Sequence, residues 1–285
     1  MIRTKIYDLK DTNDNQQNYI HLACKSKKVN VVKYLVGLKK IDYKAVDGED
    51  KTILNYAFES ENLELVRYII SLKGIDLTAV DSSDKTLLHV ACGTGQLEFV
   101  KLLIESKQIQ NDAKDEDGKT MLFYACDSDN LDLVKYVLSL KEINVKVKDN
   151  DGKTVLHQVC DDGKIEFAKY IIGLKKIDIN EKDREGNTPL YYSVGYNSKL
   201  ELVKYLLSVK GIDPTVTNKE KETVLHRACE HCDLETVKYL VDHCKFDLKK
   251  TSRNGNTYLH FAIESGNLEK VKYLVELKKI DITAV

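Results

Sequence analysis

The stretch Thr86-Leu87-Leu88-His89-Val90-Ala91-Cys92 decides the fold, because the chain repeats it in phase from end to end. Aligned on the threonine, the copies begin at Asn18, Thr52, Thr86, Thr120, Thr154, Thr188, Thr223 and Thr257, at steps of 34 residues with a single step of 35. Around the third copy every part of the unit is present. Thr86 is a good helix N-cap, and Leu88, Ala91 and Cys92 form one apolar face of a short helix that ends near the turn Gly93-Thr94-Gly95. Leu97, Val100, Leu103 and Ile104 follow at three- and four-residue spacing, the pattern of a second, amphipathic helix. Two helices of roughly ten residues each do not hold in water alone, so the units must stack and share a continuous core.

The signature resembles the ankyrin repeat, whose pattern is Thr-Pro-Leu-His-x-Ala at about 33 residues. The resemblance covers essentially the whole chain and implies an all-α solenoid of helix-turn-helix units with hairpin-like loops. Residues 1–17 then form an N-terminal partial repeat or cap, and 18–285 form eight repeats. The chain departs from the pattern in three places. Proline follows the cap only at Pro189, the period is one residue longer, and repeat six carries an insertion in its inter-helix turn, Gly195-Tyr196-Asn197-Ser198-Lys199.

A second period is superimposed on the first. The fourth motif position is histidine in odd repeats (His21, His89, His157, His226) but Asn55, Phe123 and Tyr191 in even ones, with His260 as the exception. The fifth position runs Leu22, Tyr56, Val90, Tyr124, Gln158, Tyr192, Arg227, Phe261, aromatic in every even repeat. The array therefore reads as grown by duplication of pairs, about 68 residues at a time.

Charged residues make up 31% of the chain, yet the formal net charge is −1, so no global field draws it to nucleic acid or an anionic membrane. No hydrophobic run approaches the roughly 18 residues of a membrane span, and Met1-Ile2-Arg3-Thr4-Lys5 lacks the apolar core of a signal peptide. Five of the seven cysteines, Cys24, Cys92, Cys126, Cys160 and Cys229, share one motif position on the buried side of helix one. Stacked helices lie about 8–10 Å apart, beyond the roughly 7 Å Cα limit for a disulfide. They read as reduced core thiols in a reducing, cytoplasmic compartment. Both termini match interior loops in phase: residues 5–8 align with 39–42, and 281–285 align with 76–80. Helix two of the last repeat also looks like an interior one. The chain thus reads as a segment of a longer array or larger protein, unless the last unit itself serves as the cap.

Catalytic and metal chemistry is weighed against this repetition and set aside. Histidines recurring in register three residues after a cap serve the scaffold, bonding the cap and nearby loop backbone, whereas a catalyst needs one convergent constellation. Ligand-type residues crowd only in repeat seven: His226, Cys229, His231, Cys232, His243 and Cys244. Zinc favours such residues, but the motif already accounts for His226 and Cys229, and no metal or other cofactor is expected. The acidic loops Asp115–Gly118 and Asp149–Gly152 lack the first acid of a calcium loop, Ala113 and Val147 standing there. Helix two carries a basic ladder, Lys33, Arg67, Lys101, Lys135, Lys169, Lys204, Lys238 and Lys272. All but Lys33 follow an acid by three residues, the spacing of an intrahelical pair.

Function is then expected where the framework does not repeat. By resemblance, hairpin tips and the outward side of helix one form a concave groove that binds other proteins, and position five faces it. Tyr56, Tyr124, Gln158, Tyr192, Arg227 and Phe261 make a Tyr-rich strip suited to an interface, with packing between repeats as the competing reading. Glu59, Asp127, Asp161 and Asp162, with Asp129, Glu230 and Glu264, make its edge acidic. The expected role is a non-enzymatic scaffold or adaptor whose partner is a protein with a basic surface and an apolar or aromatic anchor. The alternatives are a targeting segment of a larger enzyme and an array that self-associates through uncapped ends.

Overall fold

The computed structural model describes residues 9–106 and 109–277. The terminal matches at 5–8 and 281–285 lie outside them. Among the described residues the chain forms sixteen helices, and its only bridges are two isolated ones, Thr12 with Asn18 and Val80 with Thr86. It divides into two compact units, Met1–Asn144 and Val145–Val285. The first holds four helix pairs: α1 (Tyr19–Lys25) and α2 (Val29–Gly37), α3 (Ile53–Glu59) and α4 (Leu63–Ile70), α5 (Leu87–Gly93) and α6 (Leu97–Glu105), α7 (Met121–Asp127) and α8 (Leu131–Ser139). The second holds α9 (Val155–Asp161) and α10 (Ile165–Gly173), α11 (Pro189–Tyr192) and α12 (Leu200–Ser208), α13 (Val224–His231) and α14 (Leu234–His243), α15 (Tyr258–Glu264) and α16 (Leu268–Glu276).

Each first helix starts where the motif places its cap. The backbone N–H of Thr86 donates to His89 Nδ1 at 2.9 Å, and His89 Nε2 meets the Ala113 carbonyl at 3.2 Å. A ring that accepts at Nδ1 and donates at Nε2 is the neutral tautomer. His21 and His157 repeat the arrangement with Ala45 O and Asn187 O. The histidines are thus scaffold groups, tying the cap to the neighbouring loop. Within each unit repeats stack through residues at the same motif positions: Leu54, Leu88 and Leu122 in the first, and Leu156, Leu190 and Leu225 in the second, are all at most 1% exposed. Truncating one such leucine to alanine costs about 2–5 kcal/mol. None of the seven cysteines is in a disulfide, and the five at the shared motif position are buried.

Five of the loops turn on one aspartate each. Asp47 Oδ1 accepts the N–H groups of Glu49 and Lys51, Asp81 Oδ1 those of Ser83 and Lys85, and Asp115, Asp149 and Asp183 do the same. Successive tips are joined by one backbone bond, as from Ser82 N–H to Glu49 O (2.9 Å) and from Arg184 N–H to Asp151 O (2.8 Å). Gly152 shows what the tip demands: its φ is +79°, and a Cβ there would lie 2.9 Å from Arg184 N.

Three features differ from the sequence expectation. The insertion in repeat six shortens α11 to four residues, because the extra residue lets the chain leave the helix at Ser193 and pass through Tyr196, which is 87% exposed. On helix two, Lys101, Lys135, Lys169, Lys204 and Lys272 pair with the acid three residues earlier, but Glu64 goes to Lys33 of the preceding repeat (2.7 Å) instead of Arg67. Lys33 has Asn30 where the others have an acid. Lys270, finally, occupies the position of Leu65, Phe99 and Leu133, yet is 2% exposed. Its ammonium donates to the carbonyls of Cys229 (2.7 Å) and Cys232 (2.9 Å) at the end of α13, where a helix terminus leaves unpaired acceptors. Burial holds its pKa below the usual lysine range.

Candidate protein-binding face

The residues at position five explain the two-repeat period. His21 meets the ring of Tyr56 edge-on at a centroid distance of 5.7 Å, and His89 with Tyr124 (5.2 Å), His157 with Tyr192 (5.8 Å) and His226 with Phe261 (5.3 Å) repeat the contact. Each tyrosine then returns to the loop of its own repeat. The Tyr124 hydroxyl donates to Asp115 Oδ2 at 2.6 Å and that of Tyr192 to Asp183 Oδ2 at 2.7 Å; Tyr56 does the same with Asp47, and Gln17 joins that pair. One aspartate thus orders its turn through Oδ1 and holds a tyrosine through Oδ2. The last doublet lacks both halves of the bond: Phe261 has no hydroxyl, and Ser252 stands where the aspartate would be.

The electrostatics follow. Burial and then the Asp47 carboxylate push the Tyr56 hydroxyl up to about 12, and the same causes raise Tyr124 and Tyr192. Burial works against the charge of Asp47, but its hydrogen bonds outweigh it and hold the carboxyl below the ordinary range. His226 has no protein partner for Nε2, and burial lowers it to about 4.

Position five is therefore not uniformly outward. Tyr56 and Phe261 are withdrawn into the repeat stack, 4% and 7% exposed, because the ring packs on the preceding histidine. Tyr124, Gln158, Tyr192 and Arg227 are half-buried and present an edge to solvent. Arg227 lies over the rings of Tyr191 (4.8 Å) and Tyr192 (5.5 Å), and Lys153 lies 4.8 Å from the Tyr192 centroid. Of the acidic residues, Glu59 and Asp127 are exposed and Asp161 and Asp162 half-exposed. Glu59 also faces Lys51 at 3.5 Å.

In repeat seven the ligand-type side chains are held apart by other partners. The Cys232 thiol meets Val194 O and Ser198 Oγ, His231 sits against Tyr196 and Glu230, and His243 stacks on Tyr239. Among the described residues no three histidine, cysteine or acidic side chains are grouped to hold a metal. Tyr196, beside His231 at 4.6 Å, is the exposed residue on this side that motif reasoning missed. The insertion that carries it was visible, but its direction was not.

A family model of ankyrin repeats matches residues 2–81, 69–149, 140–218 and 195–285. The chain belongs to the ankyrin-repeat family. Ankyrin repeats are in general protein–protein interaction modules, and no curated protein matches this ankyrin array. No helix among its described residues is long and apolar enough to cross a membrane.

Proposed function

We infer that the chain is a non-enzymatic scaffold or adaptor that binds a protein partner along the faces that position five and the ends of the first helices form in each of its units. One observation carries this reading. The framework repeats its caps, core and turns, whereas these faces change, through Val90 in the first unit and Gln158 and Arg227 in the second, and leave Glu59 and Asp127, and Glu264 and Tyr196, exposed. Carboxylates beside half-exposed aromatic rings suit a partner with a basic surface and an apolar or aromatic anchor. Rim charges of this kind chiefly set the rate and salt dependence of association. Seven cysteines without a disulfide support a reducing, cytoplasmic setting.

The test is affinity capture from a cytosolic extract with the wild type and an E59K/D127K/Y196A variant. None of these three side chains lies in the core, so the variant keeps the fold, checked by thermal melting. Proteins retained by the wild type should be lost by the variant, and released from the wild type by moderate salt. An identical set retained by both would overturn the reading.

A second reading, end-to-end self-association, draws on a separate observation. Leu22, Val31 and Tyr34 in the first repeat, and Ile263, Leu268 and Val275 in the eighth, are exposed, whereas Leu65 and Cys229, at the positions of Val31 and Ile263, are buried. Light scattering across a dilution series separates the two readings: a constant mass removes self-association.

A further inference from the structure

Repeat three keeps the fittings that hold a tyrosine in other repeats but lacks the tyrosine. In repeats two, four and six the position-five tyrosine donates to the turn aspartate nine residues earlier. In repeat three that aspartate is Asp81, and the residue nine later is Val90. Asp81 is 7% exposed, and its Oδ1 accepts the N–H groups of Ser83 and Lys85 as its counterparts do. Among the described residues, no donor meets its Oδ2.

The cation of the cradle is displaced in the same way. Lys85 lies over the Tyr124 ring at 5.6 Å and Lys153 over the Tyr192 ring at 4.8 Å, each 39 residues before its tyrosine. The lysine 39 residues before Val90 is Lys51, which pairs instead with Glu49 (3.0 Å) and Glu59 (3.5 Å). What remains is an open notch of about 320 Å³ lined by Asp81, Lys51, Val90, Gly93, Thr94 and the side of Tyr124. That is at the lower end of the roughly 300–1,000 Å³ of small-ligand clefts.

We propose that this notch is a socket for a tyrosine side chain of the binding partner, whose hydroxyl donates to Asp81 Oδ2. The inference rests on the reading of this face as the partner-binding one. It supplies the aromatic anchor in a chemical form that the chain itself uses three times, a phenol on a turn carboxylate, twice with a lysine over the ring. A phenylalanine would fill the space but cover the carboxylate oxygen without giving it a donor, so the socket distinguishes the two.

The experiment uses p-cresol, the tyrosine side chain alone, with toluene as the analogue lacking the hydroxyl, in amide-detected NMR titrations of the full chain. p-Cresol should shift the Ser83, Lys85 and Val90 amides saturably, and toluene about tenfold more weakly or less. In D81N the turn is kept, as Asn218 keeps its own by accepting the Glu222 N–H, and p-cresol should fall to the toluene level. In V90Y the chain fills its own socket, and the response should vanish while the melting temperature rises. No saturable shift at these amides in the wild type, or equal affinities for p-cresol in wild type and D81N, overturns the proposal. Should V90Y not fold, the wild-type and D81N titrations decide alone. A negative result here leaves the face-binding reading standing, because the capture variant also changes Asp127 and Tyr196, which lie outside this notch.

Discussion

Replacing Tyr124 by phenylalanine removes one oxygen atom and isolates one buried acceptor. The Tyr124 hydroxyl lies 2.6 Å from Asp115 Oδ2, and Asp115 is 6% exposed. A hydrogen bond to a charged group contributes about 1.5–3 kcal/mol, and an acceptor left unpaired in a buried place costs a similar amount. Y124F should therefore lose about 2 kcal/mol. D115N keeps the turn bonds at Oδ1 and loses the acceptor at Oδ2. If the bond is the cause, Y124F/D115N should lose less than the sum of the two single changes by about 1–2 kcal/mol. Long repeat arrays need not unfold in one step, so the cycle is best read by native-state hydrogen exchange at Asp117 and Lys119, whose N–H groups bond Asp115. The converse change is F261Y with S252D, which should gain stability only when both are present. A Y124F loss below about 0.5 kcal/mol, or strictly additive singles, would refute the role assigned to the doublet bond.

Four histidines buried in neutral form make the protein acid-sensitive. Burial lowers the pKa of His21, His89, His157 and His226, the last to about 4. Their contribution is complete above the ordinary histidine value of about 6.5 and is lost as the pH falls from there through the lowered folded values; His226 alone accounts for about 3 kcal/mol. Urea midpoints should fall between pH 7 and pH 5, and H226Q should flatten part of that slope. K270M removes the donor to the Cys229 and Cys232 carbonyls and should cost about 1–3 kcal/mol, seen as earlier exchange in α13 and α16. Burial raises the thiols of Cys24 and Cys229 to about 12, whereas Cys244 is partly exposed and raised to about 11. An aromatic disulfide reagent should label Cys244 first in the folded protein and all seven in urea; rapid labelling of Cys92 would contradict the packing.

The helix caps, the helix pairs and the capping histidines were legible because each is a local pattern: a cap, a three-to-four spacing, and a histidine three residues on. The partner of each tyrosine was also present in the text, as aspartate nine residues earlier. It belongs to no helical or strand period, however, because the intervening residues change direction at the turn. That is why Tyr56 could be placed on the outward face although it is 4% exposed. Lys270 could not be anticipated, since nothing local marks a lysine whose amine reaches carbonyls 38 and 41 residues earlier. Glu64 shows the same limit on a smaller scale: two cations stood within reach, and only the stacking of α2 on α4 selects Lys33.

Because the histidine of one repeat and the tyrosine and aspartate of the next work together, the smallest interchangeable part of this chain is two repeats. Excising residues 52–119 would splice Lys51 to Thr120, bring His21 against Tyr124, and leave Asp47 nine residues before that tyrosine, so every bond of the doublet is re-formed by new owners. Excising 52–85 instead would seat Val90 on His21 and strand Asp47. Length variants of this array, natural or engineered, should accordingly come in even numbers.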